Sequence, residues 1–141
     1  MKALIPALAV IVLFTVIQCG GPSPTSPATV SVKDDPSFST DVLAIINTAG
    51  CARAGCHDLA TSQAGLRLMA DSAYSNLVNV FSTEVPSKKR VAPGDPVASY
   101  LIDKLQGTAA VGVQMPATGQ ALSAGDITTI TNWILKGAKN N

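Results

Sequence analysis

The chain has 141 residues, with ten Lys and Arg against nine Asp and Glu, and this length fits one domain. Charges so nearly balanced leave no sequence-wide electrostatic footprint for nucleic acid, so no nucleic-acid partner is expected. Three adjacent basic residues, Lys88, Lys89 and Arg90, favour a solvated loop over a docking patch.

The N-terminus carries an export pattern. Lys2 precedes an uncharged apolar run of 15 residues, 3–17, which is short of the roughly 20 that span a bilayer. This pattern predicts a signal peptide over 1–18. The following Cys19 resembles the acylated Cys of bacterial lipoproteins, although Gln18 is atypical before it and ordinary signal cleavage is the alternative. We therefore expect an exported chain on the periplasmic or cell-surface side, anchored in a bacterial membrane by a lipid on Cys19.

Residues 19–36 differ in composition from the remainder of the chain. Residues 19–36 are rich in Gly, Pro, Ser and Thr, which predicts a flexible tether. Residues 37–141 form the predicted domain, which can bury only a modest core. Its few aromatic residues leave room for a large apolar prosthetic group as packing surface: Phe38, Tyr74, Phe81, Tyr100 and Trp133.

Apolar residues recur at helical spacing in four stretches, and period-two alternation is not sustained anywhere. The second stretch includes Val78 and Phe81 on its apolar face. The fourth opens with Ser123 and Asp126 placed as a capping box and stops at Gly137. The pattern predicts an all-α fold of four or so short helices with long loops, over residues 37–50, 71–81, 97–107 and 123–137.

The run from Cys51 to His57 carries the most specific chemical signal. Two Cys followed directly by a His is the pattern of covalent haem attachment, in which thioethers hold the haem and the His ligates its iron. The usual spacer is two residues, and here four lie between Cys51 and Cys56. Gly55 favours the bulge that a longer spacer needs. The alternatives are a Cys51–Cys56 disulfide and a metal site, and zinc has no evident fourth ligand here.

The second axial ligand follows by elimination, because His57 is the only His. Apart from the initiator, the Met residues are Met69 and Met115. Met69 favours a packing role, whereas Met115 lies in a loop that Pro116 stiffens and that can reach the haem. Met115 is therefore the predicted ligand. The apolar residues before Met69 are expected to line the haem face: Leu66 and Leu68.

These features together resemble the mono-haem cytochrome c domains, which have a helix before the attachment motif, a late Met-Pro loop and a final helix that crosses the first. Residues 64–68, 91–96 and 99–101 are similar to a bacterial branch that includes planctomycete-type cytochrome c. The resemblance implies a cytochrome c-like fold wrapped round one covalent haem c, with His57 and Met115 as iron ligands. It implies a monomeric one-electron carrier, not an enzyme, with redox proteins as partners.

Two other functions remain open at this point. One is a peroxidase-like or ligand-sensing haem domain with an open sixth site. The other is a haem-free, disulfide-bonded exported domain for interaction. Residues 58–68 contain no Pro, whose carbonyl orients the proximal His in many relatives, so the sequence does not name the group that orients His57.

Overall fold

The computed structural model describes residues 32–141. The predicted export signal over residues 1–18 and the lipidation candidate Cys19 lie outside this range. Within it, no helix is both long and apolar enough to cross a membrane.

Short helices and long irregular connections make up the described part of the chain. A π-helical turn continues directly into the first α-helix, and a single 3-10 turn lies between the first two helices. Between residues 32 and 141 the remaining pairing is limited to isolated β-bridges. The elements are the π-turn Phe38–Val42, α1 (Leu43–Thr48), the 3-10 turn Gln63–Gly65, α2 (Ala73–Leu77), α3 (Tyr100–Gln106) and α4 (Ala124–Leu135).

Local side chains define several helix ends. The Ser37 N–H donates to the Asp41 carboxylate at 2.8 Å before the π-turn. At α4, the Asp126 N–H donates to Ser123 Oγ at 3.1 Å, so the expected Ser cap is present. Gly107 ends α3 with a φ of 74°, a left-handed conformation that favours glycine. These caps explain why the first, third and fourth helices lie close to the predicted ranges.

The second helix is shorter than predicted. It ends at Leu77, and Val78 is already extended, with φ −81° and ψ 127°. The next residues pair with a later segment instead: the Asn79 N–H donates to Val91 O at 3.0 Å. Phe81 is 59% exposed and lies outside the core. The predicted range 71–81 was wrong because pairing with residues 88–91 outweighed the local helical spacing.

The core lies where α4 packs against the π-turn and α3, with Tyr74 of α2 at its side. The ring of Phe38 lies 5.2 Å from that of Tyr74 and 5.4 Å from that of Trp133, between ring centroids. Such aromatic contacts add to the stabilisation from area burial. Aliphatic residues from all four helices and from two connecting segments complete this core: Val42, Ile46, Leu68, Leu77, Val91, Ile102, Leu105, Ile130 and Ile134.

The end of the predicted tether contacts the domain. Lys33 forms an ion pair with Asp41 at 2.8 Å. Asn132 Nδ2 in α4 donates to Lys33 O at 3.0 Å, and Pro36 is buried. Residues 33–36 therefore belong to the folded unit, which begins a few residues before the predicted boundary at Ser37.

Candidate functional site

A cavity of about 380 Å³ lies between α1, the attachment motif, α3 and the loop that follows α3. Its volume falls within the range of about 300–1,000 Å³ common for small-molecule and cofactor sites. Every site residue predicted for the domain lines it: Cys51, Cys56, His57, Leu66, Leu68, Met115 and Pro116. Further apolar side chains come from the helices and from the segment before α4: Ile45, Ile46, Leu77, Leu101, Leu105, Leu122 and Ile130.

His57 is held in one orientation by its own loop. Its ring Nδ1 lies 3.1 Å from Gln63 O and 3.2 Å from Leu66 O. Both partners are carbonyl oxygens that can only accept, so Nδ1 carries the proton and Nε2 has a free lone pair. These two carbonyls orient His57 where the sequence showed no proline to do so, and the ring that they hold lines the cavity.

Burial also prepares the imidazole for ligation. His57 is 9% exposed, and desolvation lowers its pKa, although the two carbonyl contacts act in the opposite direction. A lowered pKa keeps the ring neutral at neutral pH. Neutral imidazole is the form that binds metals.

The widened spacer forms a compact turn. The Cys51 N–H donates to Ile46 O at 3.1 Å, which attaches the motif to the end of α1. The His57 N–H then donates to Cys51 O at 3.1 Å and closes the turn. Gly55 adopts a φ of 83°, which only glycine tolerates well, as the spacer length led us to expect.

Both motif cysteines are free thiols in the structure. Burial raises the pKa of the Cys51 thiol, and the neighbouring Cys56 raises it further. Both thiols line the same cavity as the imidazole of His57.

The two Met residues lie in different environments. Met115 is half-buried and lines the cavity, with its N–H donating to Lys104 O at 2.8 Å. Met69 is 39% exposed and is not part of the cavity wall. Its carbonyl accepts from the Ala73 N–H at 2.7 Å at the start of α2. The structure therefore brings Met115, and not Met69, to the same cavity as His57.

Charged residues at the cavity were missed from the sequence. Arg90, Lys104 and Glu84 all contribute to its wall. The predicted solvated loop at 88–90 was wrong for Arg90, which is only 8% exposed. Lys88 is instead paired with Asp103 at 2.7 Å. Three consecutive basic residues look alike in sequence, and only the pairing with the segment around residue 80 turns the third one inward.

The donor set fits a c-type haem better than a bare metal ion. Within the described range, no three His, Cys, Asp or Glu side chains are clustered so as to hold a metal. Two thiols, one imidazole with a free Nε2 and one thioether line an apolar cavity. That is the set of groups that thioether attachment and axial ligation of a haem require.

Comparison of the chain with protein family models, with curated proteins and with solved structures finds no match.

Proposed function

We propose that this protein is an electron carrier with one covalently bound haem c in the cavity. The observation that carries the proposal is the convergence of four side chains, Cys51, Cys56, His57 and Met115, on that cavity. They come from two segments about 60 residues apart in the chain. An apolar cavity lined by both thiols, the imidazole and a thioether supports a haem more than it supports a disulfide.

Each of these residues has a role in holding the group. Cys51 and Cys56 would form the thioethers, and His57 Nε2 and the Met115 sulfur would hold the iron. Bound there, haem c supplies reversible one-electron redox chemistry. Leu66, Leu68 and Pro116 would shield it from water, because they line the same cavity. A buried site with a thioether ligand favours a high reduction potential.

The same arrangement argues for a carrier rather than an enzyme. If His57 and Met115 both hold the iron, they would leave no position on it for a substrate. A peroxidase-like or ligand-sensing domain would need one position open, and the placement of Met115 on the cavity wall does not support that. We therefore propose a cytochrome c-like, all-α electron-transfer domain without enzymatic activity.

The setting of the carrier follows from the N-terminal pattern. We propose export, acylation of Cys19 and attachment to a bacterial membrane on the periplasmic or cell-surface side. Redox proteins would then be the donor and the acceptor. A monomer without a nucleic-acid partner is the simplest form of such a carrier.

The deciding experiment is a reduced pyridine haemochrome spectrum of denatured protein, made in cells with an intact haem c maturation system. We expect the haem c bands to remain with the protein after acid-acetone extraction. The matched control is the double substitution Cys51→Ala and Cys56→Ala, which should lose the signal. Wild-type protein without any haem c bands would sink the proposal and favour the disulfide-bonded domain.

A further inference from the structure

Several cations line the cavity. Among those without an acidic partner, Arg90 has the least exposed side chain. The residue is 8% exposed. Its Nη1 donates to Asn76 O at 2.9 Å, and its Nη2 donates to Ala64 O at 2.9 Å. A guanidinium has five N–H donors, and these two carbonyls use only two of them. Arg90 is therefore a buried side chain with donors to spare.

The charge of Arg90 is not balanced by a carboxylate of the described chain. The ion pairs among residues 32–141 join Lys33 to Asp41, Lys88 to Asp103 and Lys104 to Glu84, and none includes Arg90. Burial lowers the pKa of Arg90, and no acidic neighbour offsets that effect. A buried charge without a counter-ion costs several kcal/mol. A structure that keeps such a charge at a cavity indicates an anionic ligand group there.

The nearest acid in the cavity wall is already engaged. Glu84 Oε2 lies 3.0 Å from Lys104 Nζ, and Lys104 is 7% exposed. Lys104 Nζ also donates to Val111 O at 3.3 Å. Lys104 and Glu84 offset each other's charge, and Arg53, the other cation that lines the cavity, is exposed to solvent. Arg90 is therefore the buried cation of the wall that has no carboxylate partner among the described residues.

We propose that Arg90 binds a carboxylate of the molecule that fills the cavity. The inference rests on the proposed function, under which the carboxylate is a haem propionate. The planar fork of arginine pairs with a carboxylate through two parallel hydrogen bonds, which Lys cannot reproduce. Arg90 would thus supply a charged contact in a mostly apolar cavity, far along the chain from the Cys51–His57 motif.

The test uses the full-length holoprotein and separates charge from geometry. Arg90→Gln removes the positive charge and the planar guanidinium. Arg90→Lys keeps the charge but removes the planar guanidinium. Lys89→Gln is the matched control, because Lys89 is the adjacent basic residue and its Nζ donates to Asn79 Oδ1 at 2.9 Å. The measurements are haem content, reduction potential, and the propionate carboxylate band in the infrared spectrum of protein with ¹³C-labelled propionates.

We expect haem content to stay unchanged, because the thioethers hold the haem. Arg90→Gln should lower the reduction potential and shift the carboxylate band. Arg90→Lys should shift the band while the potential stays near the wild-type value, and Lys89→Gln should change neither. The lysine variant also covers the case in which Arg90→Gln does not fold.

Two results would overturn the inference. They differ in whether the electron-carrier proposal also fails. A carboxylate band that stays in place in Arg90→Lys, with haem bound, means that Arg90 only supports the backbone of Asn76 and Ala64. In that case the electron-carrier proposal stands. A wild-type protein without haem c removes both proposals together.

Discussion

The two sides of the cavity differ in where their hydrogen bonds go. The first side, residues 51–68, forms many of them within its own segment, whereas the second side, the loop that carries Met115, forms them with α3. Between Cys51 and Leu68, the His57 N–H donates to Cys51 O and the Leu68 N–H donates to His57 O, at 3.1 and 2.8 Å. The loop after α3 depends instead on that helix, through the Met115 N–H to Lys104 O at 2.8 Å and Gln114 Nε2 to Leu105 O at 2.9 Å.

This difference suggests separate tasks for the two sides. The first side holds two thiols and an imidazole in one local network, which distant changes disturb little. The second side places one sulfur through a few contacts to α3, so its geometry responds to changes in that helix. We therefore expect the first side to determine whether haem is bound and the second to determine how its iron is ligated.

The largest effect is expected from His57→Ala. This change removes the proposed iron ligand next to Cys56 in the chain, so haem content should fall toward that of the variant lacking both motif cysteines. The measurement is the ratio of haemochrome absorbance to protein. Haem content near wild type would contradict the division of tasks between the two sides.

Met115→Ala should separate ligation from binding. Haem c should remain attached, while the far-red absorption band of sulfur-ligated ferric haem disappears. Met69→Ala is the control and should keep the band, because Met69 is 39% exposed and lies off the cavity. Loss of the band in Met69→Ala alone would show that the ligand assignment is wrong.

Leu68→Ala should destabilise the first side. Leu68 is 4% exposed and lines the cavity, so its truncation should cost about 2–5 kcal/mol of unfolding free energy. The neighbouring Met69→Ala should cost within about 0.5 kcal/mol, as is usual at exposed positions. Urea unfolding of both holoprotein variants measures the difference, and equal costs would contradict the assigned orientation of this segment.

The smallest effect is expected from Gln114→Leu. This change removes the side-chain hydrogen bond to Leu105 O, which contributes about 1 kcal/mol. The far-red band should then disappear at a lower temperature than in wild type, before the protein unfolds. Gln120→Leu, at another exposed position of the same loop, is the control. An unchanged melting of the band would mean that α3 does not position Met115 through Gln114.

Local signals predicted a substantial part of this molecule. The cap at Ser123 and the glycine at the end of α3 marked two helices, because capping depends on residues within one turn. The motif from Cys51 to His57 and the loop at Met115 were also visible in sequence. The structure brings both to the cavity, and haem binding there stays a proposal.

Other features depended on contacts that no local pattern contains. Phe81 fits a helix by spacing, yet its segment pairs with residues 88–91 and leaves the ring 59% exposed. Arg90 belongs to the same pairing, and its inward position follows from the Val80 O that accepts its N–H at 2.7 Å. Backbone pairing across about ten residues alternates which side chains face inward, and composition alone does not show the register.

The sequence by itself determined which reactive groups the domain has: two closely spaced thiols, a single imidazole and two thioether sulfurs, Met69 and Met115. The tertiary structure decided which sulfur shares a cavity with that imidazole, which carbonyls orient the ring and which buried cation of the cavity wall lacks a carboxylate partner. The physical reason is the range of the interactions. Residue type and close spacing define the reactive groups, whereas burial and long-range hydrogen bonding bring residues 57, 90 and 115 to one cavity.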